Sequence, residues 1–431
     1  MSLSRKRPIR ITENSSRMSR YLPLICLALM HTLVDTSALL IEPLWPKLEQ
    51  FFGLMSVAAL SIAFVLQSLP TSLSQVAFGY FRDRKANPKL LLWGPAFAVV
   101  GLTLIGVSPN QVVLCLLLLV GGIGVGAFHP EAAVLAGRLM PEARTRAMSI
   151  FMFGGSLGLA IGPTLSGYVV SRWGLNGLMY LTLPLLSLVL LLTYVGQLLT
   201  AESRIQKKSH STKVLSLSET LEGKIGLAFM LLMICSFRLV PNMGMGKVLA
   251  FALEQQGKDT SMIGMIQSLF LISASVGMFV MAFRFRPGLE RAFMIWCPLI
   301  GVPFMVVLGW QDCPQWLFIG TLIPTGMVLW GTSPAMVSYA QQLFPRGAGL
   351  ASAITMGFSW GIGGLIQAPI TAYFHHTGMP RQAYFAFIPC LILASLGAKF
   401  ILPVITESQG DLDEANQPIS DNSAAADTPS S

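Results

Sequence analysis

VVLCLLLLVGGIGVGAFHPEAAVLAGR, residues 112–138, is an apolar run interrupted by one polar cluster, His129-Pro130-Glu131. A helix needs about 20 apolar residues to cross a hydrocarbon core of roughly 30 Å, and this run is longer. Comparable runs recur along the whole chain, near 21–42, 56–81, 90–108, 147–171, 177–199, 224–251, 261–283, 292–310, 315–343, 348–373 and 383–403. With 112–138 they make twelve spans. The 431 residues are 53% apolar and 11% charged, with a mean hydropathy of +0.64, which excludes a chain of soluble domains. Barrel strands alternate weakly over about 10 residues, so the predicted class is an all-α membrane bundle.

The basic residues set the topology. Segments 1–20, 82–89, 138–146, 200–224, 284–291 and 345–347 hold 22 Lys and Arg, against 4 in the alternate segments 43–55, 109–111, 172–176, 252–260, 311–315 and 375–382. Positive loops stay cytoplasmic, which predicts both termini inside a plasma membrane. The net charge of +9 is thereby absorbed as a topology signal, and no nucleic-acid partner is implied. The basic start runs into a full-length span without a small-residue cleavage site, so no removed signal peptide is predicted. Cysteines 26, 115, 235, 297, 313 and 390 are scattered singly and read as apolar filler.

The longest interior polar stretch, 200–223, reads as a cytoplasmic linker. It divides the chain into a basic N-terminal segment (1–20), a six-helix bundle (21–199), the linker, a second six-helix bundle (224–403) and a disordered acidic tail (404–431). Sliding the sequence by 204 residues lays HPEAAVLAGRLMPEARTRAMSIFM (129–152) on SPAMVSYAQQLFPRGAGLASAITM (333–356) without a gap. Pro130 meets Pro334, Pro141 meets Pro345, and further on Gly174 meets Gly378. Duplicated six-helix halves are what a transporter with a midplane cavity between parallel repeats requires.

GYFRDRKANPK (79–89) is similar to the loop between the second and third spans of the major facilitator superfamily, with Gly79, Asp83, Arg84 and Lys89 in place and Ala86 where a Gly is usual. That resemblance implies a cytoplasmic gate latch at Gly79, Asp83 and Arg84. The equivalent second-half loop, FRFRPGLER (283–291), lacks the Asp. GLAIGPTLSG (158–167) resembles the fifth-span signature of proton-coupled drug antiporters, which implies a hinge or close-packing helix at Gly158, Gly162 and Pro163. Gly154, Gly158 and Gly162 also leave one helix face bare. His31-x-x-x-Asp35, Phe128-His-Pro-Glu131 and Tyr339-Ala-Gln341-x-x-x-Pro345 together resemble the fosmidomycin-resistance efflux branch of the superfamily, over roughly residues 25–403. An Arg common early in the fourth span of drug antiporters is absent, since LCLLLLVGG (114–122) is apolar.

Ionisable groups at membrane depth are costly and normally border a wet cavity or a partner. His31, Asp35 and Glu42 follow one stripe of the first span. Asp35 and Glu131 are the expected proton-coupling acids; Glu42 is either part of the same stripe or ordinary interfacial polarity. His129 and Glu131 lie about 200° apart on a helix and cannot share a face. Pro130 removes one helical hydrogen bond and predicts a broken turn, with a carbonyl near 126 free, Glu131 aimed at the cavity, and His129 either bracing the break or binding substrate. The alternative for Glu131 is an ion pair with Arg138. Arg238 in the seventh span is expected to face Asp35 and to bind an anion or hold an acid. The expected substrate-binding set is His31, His129, Arg238, Tyr339, Gln341, Gln67 and Trp360, with Pro130 as a second hinge.

These readings predict a proton-coupled antiporter exporting small drug-like or anionic compounds by alternating access. An uptake symporter or uniporter, or a transport-dead sensor, are the alternatives. No Walker-type loop and no nucleophile or metal-ligand arrangement is visible, so neither enzyme, cofactor nor metal is expected. The predicted partners are a small molecule, protons and lipid, with the chain acting as a monomer.

Overall fold

The computed structural model describes residues 12–84, 87–140, 144–202, 221–284 and 288–405, and every regular element among them is helical. The first span is built from α1 (Thr12–Leu39), a 3-10 turn (Glu42–Leu44) and α2 (Trp45–Phe52). It is followed by α3 (Val57–Arg84), α4 (Leu90–Thr103), α5 (Gln111–Leu139), α6 (Arg144–Trp173) and α7 (Thr182–Glu202). The second half comprises α8 (Ile225–Gln255), α9 (Thr260–Arg284), α10 (Glu290–Gly309), α11 (Gln315–Gly331), α12 (Ser333–Leu343), α13 (Ala348–Ser352), α14 (Ser359–His376) and α15 (Ala383–Phe400). The expected linker and tail fall largely outside the described residues.

Eleven helical segments among the described residues are long and apolar enough to cross a membrane. The twelfth expected span, 348–373, is also helical, but a π-helical turn over Ala353–Phe358 divides it into α13 and α14. The glycines of GFSWGIGGL and the buried Gln367 dilute its apolar character, so neither piece alone has the profile of its neighbours. The tenth span is also jointed, at Thr332 between α11 and α12, where Pro334 supplies no backbone donor. By contrast α5 runs through Pro130 unbroken. The broken turn expected there is absent: Pro130 removes one donor only, and Gly126 lets α3 press against the helix beside it. A Cβ at Gly126 would stand 2.5 Å from the Thr71 carbonyl oxygen.

Each half has its own core. One gathers Trp45, Phe64, Phe128 and Phe151, and the other Phe270, Trp330, Tyr384 and Phe387. Phe251, Ala368 and Ala372 of the second half pack into the first core across the seam. Large apolar side chains such as Phe153 and Leu183 are exposed on the outer surface, as lipid-facing residues must be. The expected repeat extends to backbone conformation. Gly53 and Gly257, 204 residues apart, both end helices with φ of 63° and 71°. Gly174 and Gly378, at the same offset, do so with φ of 69° and 77°. Only glycine adopts such a conformation without strain.

Small residues set the helix spacing. The glycine face of α6 lies on α1: a Cβ at Gly154, Gly158 or Gly162 would come within 2.3, 2.3 and 2.7 Å of the carbonyl oxygens of Ala28, Thr32 and Thr36. Thr32 and Thr36 donate hydroxyl hydrogen bonds back to the Gly154 and Gly158 carbonyls. The two halves meet where α6 lies on α9, with Gly264 against the Pro163 carbonyl and Gly167 against that of Thr260. Gly158, Gly162 and Pro163 thus occupy close-packing positions, Pro163 at the seam itself. Replacing Gly264 with Val forces a branched side chain onto a carbonyl 2.1 Å from its Cβ and is expected to destabilise the protein by about 1–3 kcal/mol. Gly226→Ala, with nothing within 4 Å, is expected to leave it unchanged. Thermal unfolding of both variants in detergent measures the difference.

Candidate transport site

Three ionisable side chains meet deep in the first half. Asp35 on α1 lies between His31, one helical turn earlier, and His129 on α5. The Asp35 carboxylate is 3.2 Å from His31 Nε2 and 3.3 Å from His129 Nε2, and the two Nε2 atoms are 3.2 Å apart. The other ring nitrogens are fixed: His31 Nδ1 lies 2.8 Å from the Phe151 carbonyl and His129 Nδ1 2.7 Å from that of Val125. A carbonyl only accepts, so each Nδ1 carries the proton and donates it. His129 thereby donates within its own helix, to the Val125 carbonyl one turn back rather than to the carbonyl near 126. His31 stacks on Phe151 with ring centroids 4.1 Å apart.

The corresponding place in the second half holds the opposite charge. Arg238 on α8 donates to the Leu329 carbonyl (2.5 Å) and to Ser333 Oγ (3.1 Å), spanning the joint of the tenth span. It does not reach Asp35, whose two histidines occupy it. Arg238 is 3% exposed. Among the described residues no carboxylate pairs with it, and its Nε has no hydrogen-bond partner. Trp360 on α14 stands edge-on to Trp330, the residue after Leu329, with ring centroids 5.4 Å apart.

At the end of the bundle opposite the basic loops, polar contacts tie the halves together. Glu42 Oε1 accepts from Lys247 Nζ at 3.1 Å and from Gln67 Nε2 at 2.6 Å. Its backbone carbonyl accepts from Gln267, and its Oε2 is buried with no partner among the described residues. Glu42 and Lys247 are 8% and 3% exposed, so this is a buried ion pair and not interfacial polarity. Glu49 with His375 (2.7 Å), Gln50 with Glu254 and Ser171 with Asp259 complete the seal. Sequence reading missed this pairing because Lys247 lies 205 residues from Glu42; the near-204 offset was its one available signal.

Residues 27–368 match the sequence model of the Major Facilitator Superfamily. The chain belongs to that superfamily. It is 27% identical over 373 residues to the fosmidomycin resistance protein of Escherichia coli strain K12, covering 85% of this chain and 89% of that one. It is 26% identical over 393 residues to the uncharacterized MFS-type transporter YfnC of Bacillus subtilis strain 168, covering 88% and 92%. A crystal structure of a D-xylose-proton symporter superposes with a TM-score of 0.68 at 16% identity, over 89% of this chain and 98% of the other. As a superfamily member the chain is a transporter and not an enzyme.

The superfamily loop after the second span is held by an acid from the fourth. Glu131 makes its contacts with the loop and does not pair with Arg138, which is exposed. Its Oε1 accepts the Asn87 backbone N–H at 2.7 Å and its Oε2 lies 3.8 Å from Arg82 Nε. The loop pulls Glu131 to the basic end because a buried carboxylate needs donors and the loop offers them. Gly79 faces Pro130, to within 3.9 Å of a built Cβ; the side chains of Asp83 and Arg84 lie outside the described residues. The second half has a counterpart with the acid on the other partner: Glu290, in the loop that lacks Asp, accepts from Ser338 and Gln342. Tyr339 and Gln341 are committed elsewhere. Tyr339 is core, donating to the Pro403 carbonyl, and Gln341 donates to Ser352. Gln67 belongs to the seal.

Lys247→Ala strands a buried carboxylate and is expected to cost about 3–5 kcal/mol, whereas the Glu42→Gln/Lys247→Met pair is expected to recover most of it. Thermal unfolding of the single and double variants in detergent checks this.

Proposed function

We propose that this chain is a proton-driven exporter of small anionic compounds, working by alternating access in a plasma membrane with both termini cytoplasmic. The observation that carries the reading is Arg238, a buried guanidinium with no carboxylate partner among the described residues. A charge at that depth requires a counter-charge, and a bound anion supplies one. Trp360 and Trp330 offer the apolar wall of such a site. The names of relatives support the class: one is a fosmidomycin resistance protein, and an oxalate:formate antiporter of Oxalobacter formigenes is 34% identical over 143 residues, 33% of this chain and 29% of that one.

The proton acts at Glu42. Asp35 and Glu131, the acids marked by the sequence, make their contacts inside the first half. Glu42 bridges both halves at the sealed end and keeps one oxygen free. Neutralising that carboxylate removes the charge that holds Lys247 and loosens the seal. Proton entry thereby accompanies opening to the outside, where an exporter releases its cargo.

A second reading, uptake with protons, is supported by the shared fold of the D-xylose-proton symporter. Purified protein in liposomes, loaded with a panel of small organic anions, separates the two. An imposed inward proton gradient is expected to drive anion efflux. Arg238→Ala is expected to reduce efflux at least about tenfold, the loss of a charged hydrogen-bonding partner worth 1.5–3 kcal/mol. Glu42→Gln is expected to leave anion exchange while removing its response to the gradient. Movement of proton and anion in the same direction overturns the export reading.

A further inference from the structure

His31, Asp35 and His129 make a set of donor atoms that the transport reading leaves unused. Each histidine gives its Nδ1 proton to a backbone carbonyl, so in the neutral rings both Nε2 atoms present lone pairs. These two nitrogens and an oxygen of the Asp35 carboxylate all lie within 4.8 Å of one another. With both rings neutral, three acceptors face one another and repel unless a proton or a metal ion lies between them. Among the described residues no lysine or arginine pairs with Asp35, so the choice lies between a proton held on a histidine and a metal ion.

The spacing says which cation. A charge-assisted N–H to carboxylate bond closes to about 2.7–2.9 Å. Here His31 Nε2 stands 3.2 Å from Asp35 Oδ2, His129 Nε2 stands 3.3 Å from the other oxygen, Oδ1, and the two Nε2 atoms are 3.2 Å apart. Ligand atoms about 2.0–2.1 Å from a tetrahedral ion stand about 3.3 Å apart, a separation the two imidazole nitrogens match, and a rotation of the carboxylate sets one oxygen against both. The donor set, two imidazoles and one carboxylate with one position left over, is the composition of an open tetrahedral zinc site. The carbonyls of Phe151 and Val125 fix the tautomer and ring orientation of each histidine as outer partners do at metal centres.

We propose that His31, Asp35 and His129 bind a divalent transition-metal ion of the zinc type, with its fourth position open to an oxygen donor from a small anionic molecule. The opening lies on the His129 side, whose side chain is 20% exposed against 4% for His31. Gly155 bounds the site on another side. A Cβ there would stand 2.6 Å from His31 Nε2 and 2.8 Å from an Asp35 carboxylate oxygen, so only glycine leaves the donor atoms room to close on an ion. Phe151 and Phe128 keep the inner wall apolar. This inference stands apart from the direction and coupling of transport, because its readout is binding by the resting protein.

The test uses full-length protein purified in detergent, stripped with a chelator and titrated with cobalt(II). The expected result is one cobalt per chain with the intense visible absorption of tetrahedral coordination, displaced by zinc. Asp35→Asn, His129→Gln and Gly155→Ala are each expected to weaken binding at least about tenfold, while His376→Gln, which changes an exposed histidine, leaves it unchanged. Zinc is expected to raise the unfolding temperature of the unsubstituted chain, and not that of the Asp35→Asn or His129→Gln chains, which also reports that the variants are folded. A weak octahedral-type spectrum, or binding that the three site variants leave unaltered, overturns the proposal.

Discussion

A charge removed from water into a bilayer must find a partner within the protein, and that requirement organises this molecule more than any single packing contact. Glu42 finds Lys247, Glu131 finds Arg82 and a backbone amide, and Asp35 finds two imidazoles. Arg381 donates to the carbonyls of Leu308 and Gln311 and lies over the Phe318 ring at 4.2 Å. Arg238, like Arg381, meets only neutral groups, and it carries the functional proposal because it lies one residue from the counterpart of Asp35 with its Nε still without a partner among the described residues.

The two halves apply one plan with opposite signs. An offset of 204 places Arg238 one residue from the counterpart of Asp35, and Ser333 at the counterpart of His129. The contact between the first and fourth helices of each bundle therefore recurs: Asp35 with His129 in one half, Arg238 with Ser333 in the other. The seal repeats the theme, with Lys247 one residue from the counterpart of Glu42. An interior that is anionic on one side and cationic on the other follows from a duplicated backbone whose side chains diverged.

Most of the architecture was legible in the sequence because hydropathy and the distribution of Lys and Arg are properties of whole segments. The glycine face of the fifth span was legible for the same reason, since a bare stripe at every fourth residue has one physical use. The site was less so. The meeting of His31 and Asp35 follows from helical spacing, but His129 joins them across 98 residues of chain, and no local pattern encodes that. Glu131 was misdirected because Pro130 implied a break, while α5 stays whole and carries the carboxylate to the loop donors. Tyr339 reads as an amphipathic wall residue, yet its hydroxyl is taken by Pro403, in a segment whose return path the sequence does not reveal.

The α6–α9 contact has a mechanical consequence. Backbone meets backbone there at Gly264 and Gly167, and Ser268 adds a small polar tie to Thr164. A ridge with so little interdigitation can roll on its partner by exchanging that polar tie, whereas a seam of interlocked leucines would have to be pulled apart and refitted at each stroke. The bearing costs little friction because its tooth is a hydroxyl.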